Sequence, residues 1–357
     1  MRVLFSYLVP SGGMETLNRL RAEALIRHGV DCRIHYQLHG SGLQNNTSGV
    51  PVYVTNDDYG IWQMLQEGRF DAVIISNDFH GLERMRRLGF AGTLLFEVQG
   101  LGTRQMAVET LLGGATYMRA YANGLLYPQT AHLIELFRGM FSDMPQFCFD
   151  NPLDVERFGY HPVPIHSNPI LGWVGRIEPN KNWRAYLQIG AELRRRGHDV
   201  HLWTFEDAAL NRPEEQEAFE QTASIMGLAP VIRRHSNVPN LVMSDYYSII
   251  GDSGGLLAST SILEGFGYAV GEAMLCRCPV VAADSDGVRA FVEHSLTGLL
   301  YAQEAIGVAA DLAEALLLDA GFRERIRADG RQHAVARFAP AHYVGNFLQV
   351  LRAFGLG

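Results

Sequence analysis

Two doubly wound α/β units in tandem are the architecture this sequence predicts. Three observations carry the expectation: short apolar runs alternate with helical segments, a proline-rich stretch interrupts them near the middle, and the same alternation then restarts. Near-continuous apolar strands separated by helices indicate parallel sheets covered on both faces. With 357 residues, 47% of them hydrophobic and 19% charged, there is chain enough for two cores, and the composition excludes a disordered or fibrous protein.

The first run, VLFSYLV (3–9), reads as a strand and is too short for the apolar core of a secretory leader. It ends in Pro10-Ser11-Gly12-Gly13, after which METLNRLRAEALIRHG reads as a helix stopped at Gly29, with Leu17, Leu20, Leu25 and Ile26 on one face. The β-rich runs CRIHYQL (32–38), VPVYV (50–54), FDAVIIS (70–76) and GTLLFEV (92–98) follow. Helical period is lost in FCFDNPLDVERFGYHPVPIHSNP (147–169), which holds Pro152, Pro162, Pro164 and Pro169 and reads as a linker hinged near 152–168. Strands resume with ILGWVGRI (170–177), then a helix from about 182 to 196, DVHLWTF (199–205), GGLLAS (254–259), CPVVAAD (278–284) and TGLLY (297–301). The reading therefore places one Rossmann-like domain at 1–155 and another at 165–339, facing a central cleft. A terminal helix in 340–357 is placed to pack back on the first domain. Ligands of open α/β sheets bind outside the carboxyl ends of the strands, so a two-substrate site belongs between the domains.

A formal charge of -8, with neither half basic, leaves no cationic field for gripping nucleic acid. Arg84, Arg86 and Arg87 could touch an anionic membrane surface, against the blander reading of a solvated helix face. No apolar stretch approaches the length of a bilayer span, and the reading is cytoplasmic, with peripheral membrane contact left open. Cys32, Cys148, Cys276 and Cys278 are too scattered for a disulfide scaffold, and Cys276-x-Cys278 has no second pair to close a metal site, so all four read as buried free thiols.

Three segments could carry chemistry. After GGLLAS the chain turns at Glu264-Gly265-Phe266-Gly267 and enters a helix through Glu272. Glycines at a strand-to-helix turn let backbone N–H groups approach an anion, to which the helix N-terminus adds about half a positive charge. Two carboxylates beside such a turn, Glu264 and Glu272, suit hydroxyl-rich ligands, which offer them donors. LGWVGRIEPNKNW (171–183) sets Arg176 and Lys181 at another strand end. Arg is a planar fork for phosphate and Lys a compact charge. Lys181 is also the only lysine in a chain that otherwise uses arginine, which suggests a demand a guanidinium does not meet. Gly12-Gly13, between the first strand and helix, make a further anion-tolerant turn, or simply a tight one.

These motifs, GRIEPNKN, the Glu-x7-Glu segment EGFGYAVGE with the following PVVAADSDGVRAFVEHSLTGLLY, Gly12-Gly13-x-Glu15 and NPLDVERF, together resemble the retaining GT-B glycosyltransferases of family 4, in that family's order from residue 12 to 301. The resemblance implies transfer of a sugar from a nucleoside-diphosphate sugar, with a UDP- or GDP-sugar as co-substrate, to a glycan, lipid-linked or small-molecule acceptor held by the first domain. It implies Arg176 and Lys181 on the donor's diphosphate, with backbone amides of Gly265, Phe266 and Gly267 on phosphate or sugar. Glu264 would contact sugar hydroxyls and Glu272 the ribose, while Gly12-Gly13 would close on the diphosphate from the other domain. No metal and no further cofactor is implied, which agrees with two cations and a helix terminus facing the leaving group.

The sequence departs from the family in two places. FEVQGLG has Gln99 where the family often has His, so Gln99 and the nearby His80 are the acceptor-side candidates. Asp286-Gly287-Val288-Arg289 stands where Gly-Gly-x-Pro/Glu is usual. Selectivity for base and sugar would rest on loops such as 236–241. The rival readings are a nicotinamide-dependent oxidoreductase built on GFGYAVG with Asp284 as its acidic residue, a nucleotide-sugar epimerase or phosphorylase on the same fold, and a catalytically degenerate partner subunit. Oligomeric state is not legible.

Overall fold

The computed structural model describes residues 1–164 and 166–357; residue 165, at which the sequence reading starts the second domain, lies outside them. The chain forms two units, Met1–Asp154 with Phe338–Gly357, and Val155–Arg337.

In chain order the first unit runs β1 (Arg2–Tyr7), α1 (Gly12–Arg27), β2 (Asp31–Tyr36), β3 (Val52–Val54), α2 (Asp58–Gly68), β4 (Ala72–Ser76), α3 (Phe79–Arg87), β5 (Thr93–Glu97), α4 (Arg104–Tyr121), β6 (Gly124–Tyr127), α5 (Ala131–Met140) and β7 (Gln146–Cys148). Its seven strands are all parallel, in the order β3-β2-β1-β4-β5-β6-β7. The second unit runs β8 (Ile170–Val174), α6 (Trp183–Arg195), β9 (His201–Glu206), α7 (Pro213–Ile225), β10 (Ile232–Ser236), α8 (Asn240–Asp252), β11 (Leu256–Ser259), α9 (Tyr268–Leu275), β12 (Val280–Ala283), β13 (Leu299–Tyr301), α10 (Ile306–Leu318) and α11 (Ala320–Phe338). Its sheet is also parallel, in the order β10-β9-β8-β11-β12-β13. The last helix, α12 (Pro340–Ala353), packs on α1 in the first unit.

Burial explains the parallel sheets. Every residue of β4, β6 and β12 is buried, so these strands show no alternation between a wet and a dry face. In each sheet the strand order reverses once, between β1 and β4 in the first and between β8 and β11 in the second. Such a reversal point opens a crevice at the carboxyl ends of the two strands. In the second unit the pairing Leu256↔Leu171 and Leu257↔Gly172 sets the loops after β8 and β11 side by side.

Several details differ from the sequence reading. The strands β6, β7 and β10 are not singled out there: β7 overlaps the start of the proline-rich run, and β10 is a polar edge strand, IRRHS, with no fully buried residue. α1 begins at Gly12, so Gly12 and Gly13 form its first turn instead of preceding it, and Gly12 takes a left-handed φ of 54°. α1 is not amphipathic in the simple sense, because Glu15 through Leu25 are all buried while Ile26 is exposed. α12, arriving from the far end of the chain, covers part of the surface that a one-faced helix would leave wet.

That coverage buries charge. Arg21 and Glu97 are both fully buried, with Arg21 Nη1 donating to Glu97 Oε1 at 2.6 Å. Ser76 Oγ donates to Glu97 Oε2 at 2.5 Å, and Arg21 Nη2 donates to Asn18 Oδ1 at 2.6 Å. Tyr343 of α12 stands 3.4 Å from Arg21 Nη1. Buried ions need partners of this kind, since neither would be stable alone in a low-dielectric core.

The arginine cluster on α3 is tied into the fold. Arg84 and Arg87 both bond Asp58, at 2.8 and 2.9 Å, and Arg86 donates to the carbonyls of Phe90 and Gly92 at 2.9 Å. Cys32, Cys276 and Cys278 are buried thiols, whereas Cys148, on an edge strand, is only half-buried; burial pushes the thiols of Cys32 and Cys278 up to about 12. Among the described residues no helix is long and apolar enough to cross a membrane, and no group of His, Cys, Asp or Glu is arranged to hold a metal ion.

Candidate active site

The loop after β8 carries Gly175 and Arg176, then a tight helical turn at Pro179–Lys181, and hands over to α6 at Asn182 in a left-handed conformation (φ 49°). The loop after β11 carries Thr260 through Gly267 and hands over to α9 at Gly267, also left-handed (φ 94°). A side chain at Gly267 would be strained there, which accounts for the glycine.

The two loops are joined by a ladder of hydrogen bonds. Trp173 Nε1 donates to Thr260 Oγ1 at 2.9 Å, and Thr260 Oγ1 donates to the carbonyl of Lys181 at 2.8 Å. Ile262 N–H donates to Asn180 O at 2.8 Å, and Asn180 Nδ2 donates to Leu263 O at 3.0 Å. At the top of this ladder Lys181 Nζ meets Glu264 Oε1 at 2.6 Å, with the side chains 23% and 16% exposed. Ser261 Oγ donates to the same Oε1 at 2.6 Å. An ammonium and a carboxylate that remain partly open to water can exchange partners with a ligand, where a fully buried pair would not.

The glycine turn is held from beneath. Phe266 is only 5% exposed, its ring packed on Phe291 and Tyr268 with centroids 4.9 and 5.0 Å away, so its side chain anchors the turn. Gly287 N–H donates to Glu264 O at 3.1 Å, and a Cβ on Gly287 would sit 2.6 Å from that oxygen. The Asp286-Gly287 variation thus retains the one glycine that lets the next loop lie against the turn. Arg176 lies in the same loop as Lys181 but is 53% exposed, with its guanidinium on Glu178 at 3.2 Å. Glu272, half-buried on α9, accepts from Asn240 Nδ2 at 3.0 Å and from Tyr247 OH at 3.5 Å.

Arg176, Lys181, Glu264, Gly265, Phe266, Gly267 and Glu272 thus all belong to the second unit, with Lys181 and Glu264 in direct contact. Gly12, Gly13, His80 and Gln99 belong to the first. Gly12 and Gly13 are exposed at the start of α1. His80 is exposed on α3, edge-on to Tyr117 with centroids 4.7 Å apart. The amide of Gln99 is used within the protein: it donates to Glu97 Oε1 at 3.0 Å and accepts from Asn151 Nδ2 at 2.6 Å, fastening the start of the linker to β5. Asp284, the acidic residue of the oxidoreductase reading, is bonded at both oxygens by Arg289, which holds its carboxyl below the usual range.

Sequence reasoning missed Ser261 and Tyr247, and reached Asn240 only as part of the stretch 236–241 to which it gave base and sugar selectivity. Ser261 lies three residues before Glu264, within reach of its carboxylate. Asn240 and Tyr247 are seven residues apart on α8, the spacing that places two side chains on one helical face.

The chain has the GT-B fold. Anabaena HepE, solved in complex with UDP and glucose, superposes with a TM-score of 0.82 at 18% identity, covering 99% of this chain and 100% of that one. Sucrose-phosphate synthase from Thermosynechococcus elongatus superposes with a TM-score of 0.80 at 16% identity, covering 99% and 98%. Residues 162–333 match the family model described as glycosyl transferases group 1. An alpha-D-kanosaminyltransferase of Streptomyces kanamyceticus is 27% identical over 201 residues, 56% of this chain and 48% of the relative. A D-inositol 3-phosphate glycosyltransferase of Jonesia denitrificans is 37% identical over 198 residues, 52% of this chain and 44% of the relative. The chain spans about half the length of the curated relatives it matches.

Proposed function

We propose that the chain is a retaining glycosyltransferase that moves a sugar from a nucleoside-diphosphate sugar, UDP- or GDP-linked, to a hydroxyl acceptor. The observation that carries the reading is the Lys181–Glu264 pair set beside the Gly265–Gly267 turn at the start of α9. A cation, a helix N-terminus and a hydroxyl-accepting carboxylate are what a diphosphate joined to a sugar requires. The match of residues 162–333 to the group 1 model supports the same assignment.

Lys181 and Arg176 would hold the diphosphate while the turn's amides and the α9 N-terminus take up charge on the leaving group. Glu264 would exchange Lys181 for sugar hydroxyls, and Glu272 would take the ribose. The exposed N-terminus of α1 at Gly12 and Gly13 would accept anionic charge in the same manner, and His80 is the acceptor-side candidate in the first unit. As the bond from the anomeric carbon to the diphosphate oxygen breaks, the acceptor oxygen bonds that carbon on the same face and its proton passes to the leaving diphosphate. The charge supplied by Lys181, Arg176 and the helix terminus lets this proceed without a metal cofactor.

Release of nucleoside diphosphate from the nucleotide sugar tests the reading. Removing one preorganised charge from such a site costs about 100- to 1,000-fold in rate, so Lys181→Ala and Arg176→Ala should each fall by that order with their melting unchanged. Turnover within a few-fold of the parent would overturn it. The anomeric configuration of the product, read by NMR, separates retention from inversion.

A further inference from the structure

A carboxylate that reads two neighbouring hydroxyls must present both its oxygens in one plane, yet the terminal torsion of a glutamate is soft and broadly populated. In this structure the two oxygens of Glu272 have separate donors from the same helix. Asn240 Nδ2 reaches Oε1 at 3.0 Å and Tyr247 OH reaches Oε2 at 3.5 Å. Donors on both oxygens restrict rotation of the carboxylate, which donors on a single oxygen would leave freer. Tyr247 is fully buried and belongs to the core between α8 and the sheet, whereas Asn240 is the first residue of α8 and only half-buried.

We infer that Asn240 is a positioning residue for ribose recognition: it orients Glu272 so that the carboxylate meets the ribose diol of the nucleotide. The inference rests on the donor-site reading above and deepens it by naming what distinguishes a ribonucleotide from its deoxy counterpart. Asn240 does not touch the reacting atoms. Its effect falls on affinity for the nucleotide's ribose, not on the diphosphate held by Lys181 and Arg176.

The test is calorimetric titration of the full chain with UDP and GDP, each compared with its 2′-deoxy analogue, for the parent, Asn240→Ala and Asn240→Asp. Immobilising one side chain at binding costs an amount equivalent to about 3- to 10-fold in affinity, so the preference for ribose over deoxyribose should shrink by about 3- to 10-fold in Asn240→Ala. Affinity for the deoxy form should stay within about twofold, because that ligand lacks one of the hydroxyls the carboxylate reads. Asn240→Asp, which sets a second carboxylate against Glu272, should shrink the preference at least as far. Equal losses for ribose and deoxyribose forms would make Asn240 merely structural and overturn the inference; a misfolded variant would give that pattern too, and melting of the unliganded protein identifies it, leaving Asn240→Asp to decide. A parent that binds both forms equally overturns the inference while leaving the diphosphate site standing. A parent that binds no nucleotide overturns the donor reading and the inference together.

Discussion

Replacing Glu97 by Gln tests how the first unit is held together. The carboxylate is fully buried and accepts from Arg21 at 2.6 Å, Ser76 at 2.5 Å and Gln99 at 3.0 Å. The substitution keeps the shape but removes the carboxylate bonded to a guanidinium that is itself fully buried, and Arg21 then retains Asn18, the Tyr343 hydroxyl and the Phe5 ring, whose centroid is 3.9 Å from its guanidinium carbon. Breaking a buried pair from one side costs about 3–5 kcal/mol, because a charge is left uncompensated. In a unit of this size that is about 6–20 °C in the melting midpoint, measured by scanning calorimetry at pH 7.5. Adding Arg21→Met should recover part of the loss, since a pair replaced by apolar groups costs far less than a pair broken, and the double variant should lie at least about 1 kcal/mol above the sum of the singles. A midpoint within 2 °C of the parent, or strict additivity, would refute the reasoning.

Two further expectations follow from local geometry. Gly287→Ala places a Cβ 2.6 Å from Glu264 O; displacing the turn by even about an ångström should lower turnover about 100-fold with little change in melting, and full activity would show that the turn tolerates the shift. Burial pushes the imidazole of His35 below its ordinary value, with Nε2 donating to Thr55 O and Nδ1 accepting from Ser6, each at 2.8 Å. A group whose folded value is depressed leaves the unfolded chain binding more protons as pH falls below about 6.5, so stability is full above that pH and declines below it. His201 and His235 are shifted the same way by burial and add to the decline. The difference in melting midpoint between pH 7.5 and 5.5 should therefore shrink in His35→Gln without vanishing, and an unchanged difference would remove His35 from the explanation.

What could be read from the sequence depended on where each signal came from. Fully buried central strands such as AVIIS and VVAA announce themselves by composition, and so do the glycines and carboxylates of EGFGYAVGE. Two edge strands do not: IRRHS has no fully buried residue and QFC lies at the start of the proline-rich run, so neither carries an apolar signature, whereas the edge strands VYV and LLY are apolar enough to be read and the buried GLLY of β6 goes unread despite its composition. The one-sided reading of α1 failed because α12 covers it from more than 300 residues away in sequence. Likewise Lys181 and Glu264 were each legible as candidates, but their direct contact across 83 residues depends on β8 and β11 being neighbours, which is a property of sheet order. Gln99 looked like a substitute for a ligand-facing histidine, and its engagement with Glu97 and Asn151 follows only from the packing of the linker's first residues against β5.

A thermal-shift screen of the protein against UDP, GDP, ADP, TDP and their common sugar conjugates, run in parallel on Lys181→Ala, bears on the donor site more directly than any assay that needs the acceptor. A ligand at 100 times its dissociation constant adds about 2.7 kcal/mol of stability, a shift of several degrees. Stabilisation of the parent by one base, lost in Lys181→Ala, is the result the Lys181–Glu264 site predicts. A parent that no nucleotide stabilises, or a Lys181→Ala variant stabilised as fully as the parent, would contradict it.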